Sequence, residues 1–165
     1  MTPWLTEAPA AIAVIALIIA ALADVIEFEV PNTLSIVVAA MAVVYGLLHP
    51  GTVWWSHALA LVLMFAFGLL AFARGWLGGG DVKLMTATAA WTGIFGLPTF
   101  FLATSLAGGV LLCTLYAVRR GWRAVGLAAP VRVKVLNETA PIPYAVAVAV
   151  GAIWWAFTRH PASIF

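Results

Sequence analysis

Apolar residues run through this chain in long blocks, separated by short stretches that carry the charges, glycines and prolines. Six apolar segments can be drawn, at roughly 9–25, 33–48, 53–73, 82–97, 98–118 and 142–158, each near the ~20 residues a helix needs to cross a hydrocarbon core. The pattern predicts an all-α protein, a polytopic membrane bundle of about six transmembrane helices, built as one domain over residues 1–165. Several segments are on the short side, so a polar residue at such an end is expected to stay near the interface or in a thinned, watered part of the membrane.

Composition agrees with the pattern. The chain is 65% hydrophobic and 8% charged, whereas a soluble domain carries about 25% charged residues. No soluble domain fits beside the bundle, and membrane lipid is an expected partner. The net charge of +2 is small and its basic residues are few and local, which argues against nucleic acid as a partner. Cys113 is alone in an apolar run, so neither an internal disulfide nor a zinc-type cysteine cluster is expected. Ala21, Leu22 and Ala23 look like a signal-peptidase site, but no Lys or Arg occurs before Arg74, and the first segment is expected to be a retained span.

The placement of the bases sets orientation. Alternating spans gather the connections at 26–32, 74–81 and 119–141 on one side, with Arg74, Lys83, Arg119, Arg120, Arg123, Arg132 and Lys134 in or beside them; the other side keeps Arg159. That bias predicts those connections to be cytoplasmic and both termini to lie outside. Trp4, Trp54, Trp55, Trp154 and Trp155 then fall near outer ends and Trp76 and Trp122 near inner ones, as interfacial belts require. Trp91 reads as packing, as do Gly108, Gly109 and Gly151, small residues that let helices approach closely. In the connection at 119–141, bases alternate with Trp122, Val125, Leu127 and Val131, which suits either an amphipathic piece on an anionic leaflet or a solvated loop.

The chain has two aspartates, Asp24 and Asp81, and both fall at span ends on that same inner side. An acid at hydrocarbon depth costs at least ~2.5 kcal/mol, so each is a functional candidate by default. Two carboxyl groups brought close do not both ionise easily; one holds a proton while the other stays charged, which supplies a general acid and a general base. In amide hydrolysis the ionised member takes a proton from water and the protonated member polarises the carbonyl, with no metal, cofactor or nucleophilic side chain required. His49, His57 and His160 are too scattered for a metal site and read as surface or packing residues. Ser35, Ser56, Ser105 and Ser163 have no convincing His partner. A proton-coupled transporter or assembly subunit using the same two acids is the alternative that composition leaves open.

Gly78, Gly79 and Gly80 precede Asp81. They offer backbone freedom, including positive φ, and close approach to the carboxyl; the bland reading is a flexible turn. A phosphate loop is excluded by the missing Lys-Ser/Thr pair and by the flanking spans.

The run from Gly78 to Asp81, continued by Val82, Lys83 and Leu84, resembles the G-x-G-D signature of membrane aspartic proteases, in the form seen in type IV prepilin leader peptidases. Asp24 followed by Val30, Pro31 and Asn32 is similar to that family's other site, and Pro143 with Tyr144 resembles the start of its last span. The resemblance covers nearly the whole chain. It implies an inner-membrane endopeptidase that clips the basic leader from prepilins or pseudopilins at the cytoplasmic face, with Asp24 and Asp81 as the catalytic pair. The small size, and the lack within this sequence of the Cys-rich insert of larger bifunctional members, resemble the tight-adherence (Flp) pilus branch and imply no methyltransferase role. One departure stands out. Where the family carries bases after the first Asp, this chain has Glu27, Phe28 and Glu29, and the glutamates are candidates for attracting a basic leader, or simply solvated interface acids. Lys83 fits the family pattern, though a snorkelling cation that sets orientation would need nothing more.

Overall fold

The computed structural model describes residues 3–124 and 140–159. The expectations placed on Arg132, Lys134, Val125, Leu127, Val131, His160 and Ser163, and on the side chains of Trp4 and Arg159, lie outside the described residues. Among the described residues five helices follow one another: α1 (Pro3–Glu27), α2 (Asn32–Leu48), α3 (Trp54–Ala73), α4 (Gly79–Ala124) and α5 (Tyr144–Arg159). No strand occurs among the described residues. Segments Thr6–Glu27, Trp54–Ala73 and Gly79–Ala124 are long and apolar enough to cross a membrane, and two shorter apolar helices accompany them. Large apolar side chains such as Ile15, Leu22, Leu69 and Val110 point outward, as a bundle solvated by lipid requires.

The two segments expected at 82–97 and 98–118 are one continuous stretch broken at Gly93, not at Pro98, where φ is +60° and ψ is 175°. Only glycine adopts such a conformation cheaply. A Cβ at this position would also lie 2.8 Å from Ser56 Oγ. The chain reverses there. Along α3, Gly68 opposes Val82 and His57 meets Ala90, so α3 runs against the first arm (79–92). Trp55 meets Phe95 and Phe67 meets Phe101, so α3 runs with the second arm (94–124). The two arms are therefore antiparallel, as two separate spans would be. Pro98 is accommodated near the start of the second arm, where a missing N–H disturbs the helix least.

A break of this kind strands backbone groups that a helix would have paired. Two neighbouring residues of α3 take them up: the Ile94 N–H donates to Ser56 Oγ at 3.0 Å, and His57 Nδ1 donates to the Ala90 carbonyl at 2.8 Å. His57 is thus a packing histidine with a backbone partner, and Ser56, expected only to lack a His partner, pairs with backbone instead; both splice the turn. Replacing Ser56 by Ala leaves the Ile94 N–H unpaired in an apolar setting and is expected to cost about 1–3 kcal/mol. His57→Phe, which keeps the bulk, should cost a similar amount. Denaturation of the purified variants in mild detergent checks both, and wild-type stability in either would show that the splice is dispensable.

Elsewhere the expected boundaries hold to within a few residues, apart from α1, which begins at Pro3, and α4, which continues to Ala124. Arg119, Arg120, Trp122 and Arg123 therefore lie on the tail of α4, not in a separate surface piece. The core joins Leu17 and Ala20 of α1, Val38 of α2, Met64 of α3, Leu84, Met85 and Phe100 of α4, and Ala145 and Val148 of α5. Gly151 packs against Thr104 and Gly108 against Tyr144, as small interfacial residues should, whereas Gly109 faces open space. Trp91 packs as expected and donates its indole N–H to the Val38 carbonyl at 2.9 Å.

Candidate functional site

The ends of the elements gather the expected site residues in one place. Asp24 sits in the last turn of α1 and is buried, 6% exposed. Its Oδ2 accepts the backbone N–H of Ala145 at 2.8 Å. Ala145 is the second residue of α5, whose first N–H groups have no partner within their own helix. The carboxyl of α1 thus caps α5 from across the bundle, where the positive end of a helix dipole favours an anion.

Asp81 stands in the first turn of α4, half-buried. Its Oδ2 accepts the Gly78 N–H at 3.3 Å. That is the returning half of a capping box, an acid at the third helical position reaching back to the residue before the helix. Its Oδ1 is buried and takes no hydrogen bond. The charge of Asp24 acts directly on Asp81. Each carboxyl therefore spends one oxygen on a helix N-terminus, and the two groups are within electrostatic reach of one another.

Phe28 directs the chain out of α1. Its φ is +58°, an uncommon conformation for a bulky residue, and its N–H donates to the Asp24 carbonyl at 3.0 Å. The turn lays Val30 on Gly80, where a Cβ would stand 3.1 Å from that of Val30. A Cβ at Gly78 would meet Asp81 Oδ2 at 3.0 Å, while one at Gly79 would make only ordinary contact with Phe72. The expected use of positive φ is corrected: none of Gly78, Gly79 and Gly80 adopts it, and Gly51, Gly75 and Gly93 do. Two of the three glycines answer a need for space instead.

Pro31 precedes α2 with φ −58° and ψ 131°. Asn32 opens that helix, and its Oδ1 accepts Lys83 Nζ at 2.9 Å. The two stretches singled out in the sequence are therefore joined twice, by Val30 on Gly80 and by Asn32 to Lys83. Glu27 and Glu29 are exposed beside them. Pro143 is buried immediately ahead of Tyr144. Arg119 Nη2 donates to the Pro141 carbonyl at 3.4 Å and ties the tail of α4 to the lead-in of α5. Ala145 was not singled out by sequence reasoning. A backbone donor leaves no mark in residue type, and the one available signal was the Pro-x-Pro lead-in that announces a helix N-terminus.

These features define a class: an all-helical bundle with a membrane-type surface in which two acids, distant in the chain, lie at one end. Within that class the chain belongs to the type IV leader peptidase family, whose sequence model matches residues 11–113. It is also similar to the prepilin leader peptidase/N-methyltransferase of Bacillus subtilis (strain 168), 29% identical over 147 residues that cover 88% of this chain and 53% of that protein. The chain thus spans about half the length of the curated relative it matches. No solved structure matches it.

Proposed function

We propose that this chain is a membrane aspartic endopeptidase that removes the N-terminal leader of prepilins or pseudopilins at the cytoplasmic face of the inner membrane, with Asp24 and Asp81 as its catalytic residues. The observation that carries the reading is that those two carboxyls lie within electrostatic reach of one another at one end of the bundle, each anchored through one oxygen to a helix N-terminus. One carboxylate takes a proton from water as the oxygen adds to the scissile carbonyl. The other, protonated, donates to the carbonyl oxygen. Collapse of the tetrahedral adduct breaks the C–N bond, and a carboxyl proton leaves with the amine. Lys83, Asn32, Pro31 and the glycines hold the two segments together. Both acids sit at one end of the bundle, which favours shared chemistry over a relay of protons across the membrane. The tight-adherence (Flp) pilus systems are the proposed source of its pilin. Co-expression with a prepilin from such a system, read as a mobility shift of the pilin, tests the reading; an unshifted pilin beside wild-type protein would sink it.

Glu27 and Glu29 are exposed next to Asp24 and suit a basic leader. Electrostatic steering raises encounter rates by roughly tenfold or more and fades with ionic strength. The double variant Glu27→Gln, Glu29→Gln is expected to lower kcat/KM severalfold at low salt and to match wild type at high salt. Unchanged processing at low salt would remove the idea.

A further inference from the structure

The end of the bundle away from the aspartates holds a cavity of about 580 Å³, within the ~300–1,000 Å³ of ligand-binding pockets. We propose that it is a binding site for one acyl chain of a phospholipid with a primary ammonium headgroup, drawn from the leaflet opposite the aspartates. The site is independent of the peptidase reading and of its residues.

Depth, volume and polarity carry the inference. Along α1 the cavity runs from Glu7 to Leu17, ten residues or about 15 Å, which is one leaflet of a ~30 Å hydrocarbon core. Small side chains, among them Ala13, Ala42, Ala58 and Ala152, share the cavity's walls with large ones such as Trp91 and Trp155. Small residues normally let helices close on each other. Here α1 packs on α2 and α5 while α3 packs on α4, and the hollow between them stays open.

The serine and threonine hydroxyls in the wall are hydrogen-bonded. Thr88 donates to the Leu84 carbonyl, Thr92 to that of Ala89, and Ser56 accepts from Ile94. What faces the hollow is therefore chiefly apolar. The mouth differs. Glu7, with a side chain 63% exposed, stands there with Oε1 3.7 Å from His49 Nε2. His49 is held in place by stacking on Tyr45 and by donating from Nδ1 to the Tyr45 carbonyl. An acid at the polar end of an apolar slot suits a lipid whose headgroup brings an ammonium to the carboxylate.

The test uses the full chain in nanodiscs of phosphatidylglycerol doped with a trace of diazirine-acyl phosphatidylethanolamine or diazirine-acyl phosphatidylglycerol, with crosslinked peptides mapped by mass spectrometry. The ethanolamine probe is expected to label Ala13, Ala42 and Ala58 well above the lipid-facing Leu69 and Val110. It should exceed the glycerol probe there by up to roughly fivefold, the scale of a partly exposed charge pair. Glu7→Gln should abolish that preference, and Ala42→Phe should suppress cavity labelling by both probes; Ala58→Leu, on the exposed side of α3, serves if the first filling variant does not fold. Labelling of the cavity no stronger than at Leu69 and Val110, equal labelling by the two probes, or a preference that survives Glu7→Gln would each overturn the proposal.

Discussion

Asp81→Asn is expected to reduce leader cleavage by roughly 10²–10⁴-fold, the usual contribution of a positioned acid or base, while folded protein still accumulates in the membrane. The structure explains why the loss should be confined to chemistry. Asn keeps the shape of the side chain, and its amide oxygen can still accept the Gly78 N–H that opens α4. Nothing else hydrogen-bonds to the carboxyl, since Oδ1 is buried without a partner. Asp24→Asn should behave alike, because an amide oxygen can replace the acceptor that Ala145 N–H requires. Asp24→Ala should not. It leaves a buried helix N–H unpaired, adding about 1–3 kcal/mol of destabilisation to the catalytic loss. The comparison of Asn with Ala at position 24 thus separates the proton-handling role from the capping role. A purified assay on a prepilin, run beside thermal unfolding in the same detergent, measures both quantities. Cleavage retained by either Asn variant would mean that the two acids are not the reacting pair.

How much of this was legible beforehand differs between fold and site. The helix ends at Asn32, Leu48, Trp54 and Ala73 lie within a residue or so of the apolar blocks, because a helix in lipid has to coincide with its hydrophobic stretch. The break at Gly93 was not legible. The apolar run is continuous from 82 to 118, and Pro98 is its more conspicuous punctuation, whereas the reversal needs only one glycine with Ser56 and His57 beside it. Their part in it depends on how α3 packs, which no local pattern records. At the site, Asp24 and Asp81 could be placed on one side because alternation of spans and the clustering of bases are global features of the sequence. Their partners could not. The Ala145 N–H that holds Asp24 is 121 residues away and belongs to the backbone, and none of the glycines before Asp81 serves a positive φ, while Gly78 and Gly80 answer a need for space.

The same tertiary dependence predicts that a distant substitution will reach the aspartates. Ala145 holds Asp24 only while α5 keeps its position, and α5 is set against the second arm of α4 by Gly151, which packs directly on Thr104. A Cβ at position 151 would lie 2.8 Å from the Thr104 backbone nitrogen and 2.9 Å from its Cα, besides meeting the hydroxyl. Backbone cannot swing aside as a side chain can, so Gly151→Ala should force the two helices apart. Overpacking of this kind costs about 1–3 kcal/mol. Position 151 is six residues from Ala145, about 9 Å along the helix, so the displacement should be felt at Asp24, where a misplacement near 1 Å lowers the rate by roughly 100-fold. Thr104→Ala in the same chain should fail to restore either stability or cleavage, since the hydroxyl is not the principal obstacle. Unfolding and leader-cleavage measurements on the single and double variants decide the matter: rescue by Thr104→Ala would show that the contact is made by side chain alone, and full activity in Gly151→Ala would show that α5 does not position Asp24.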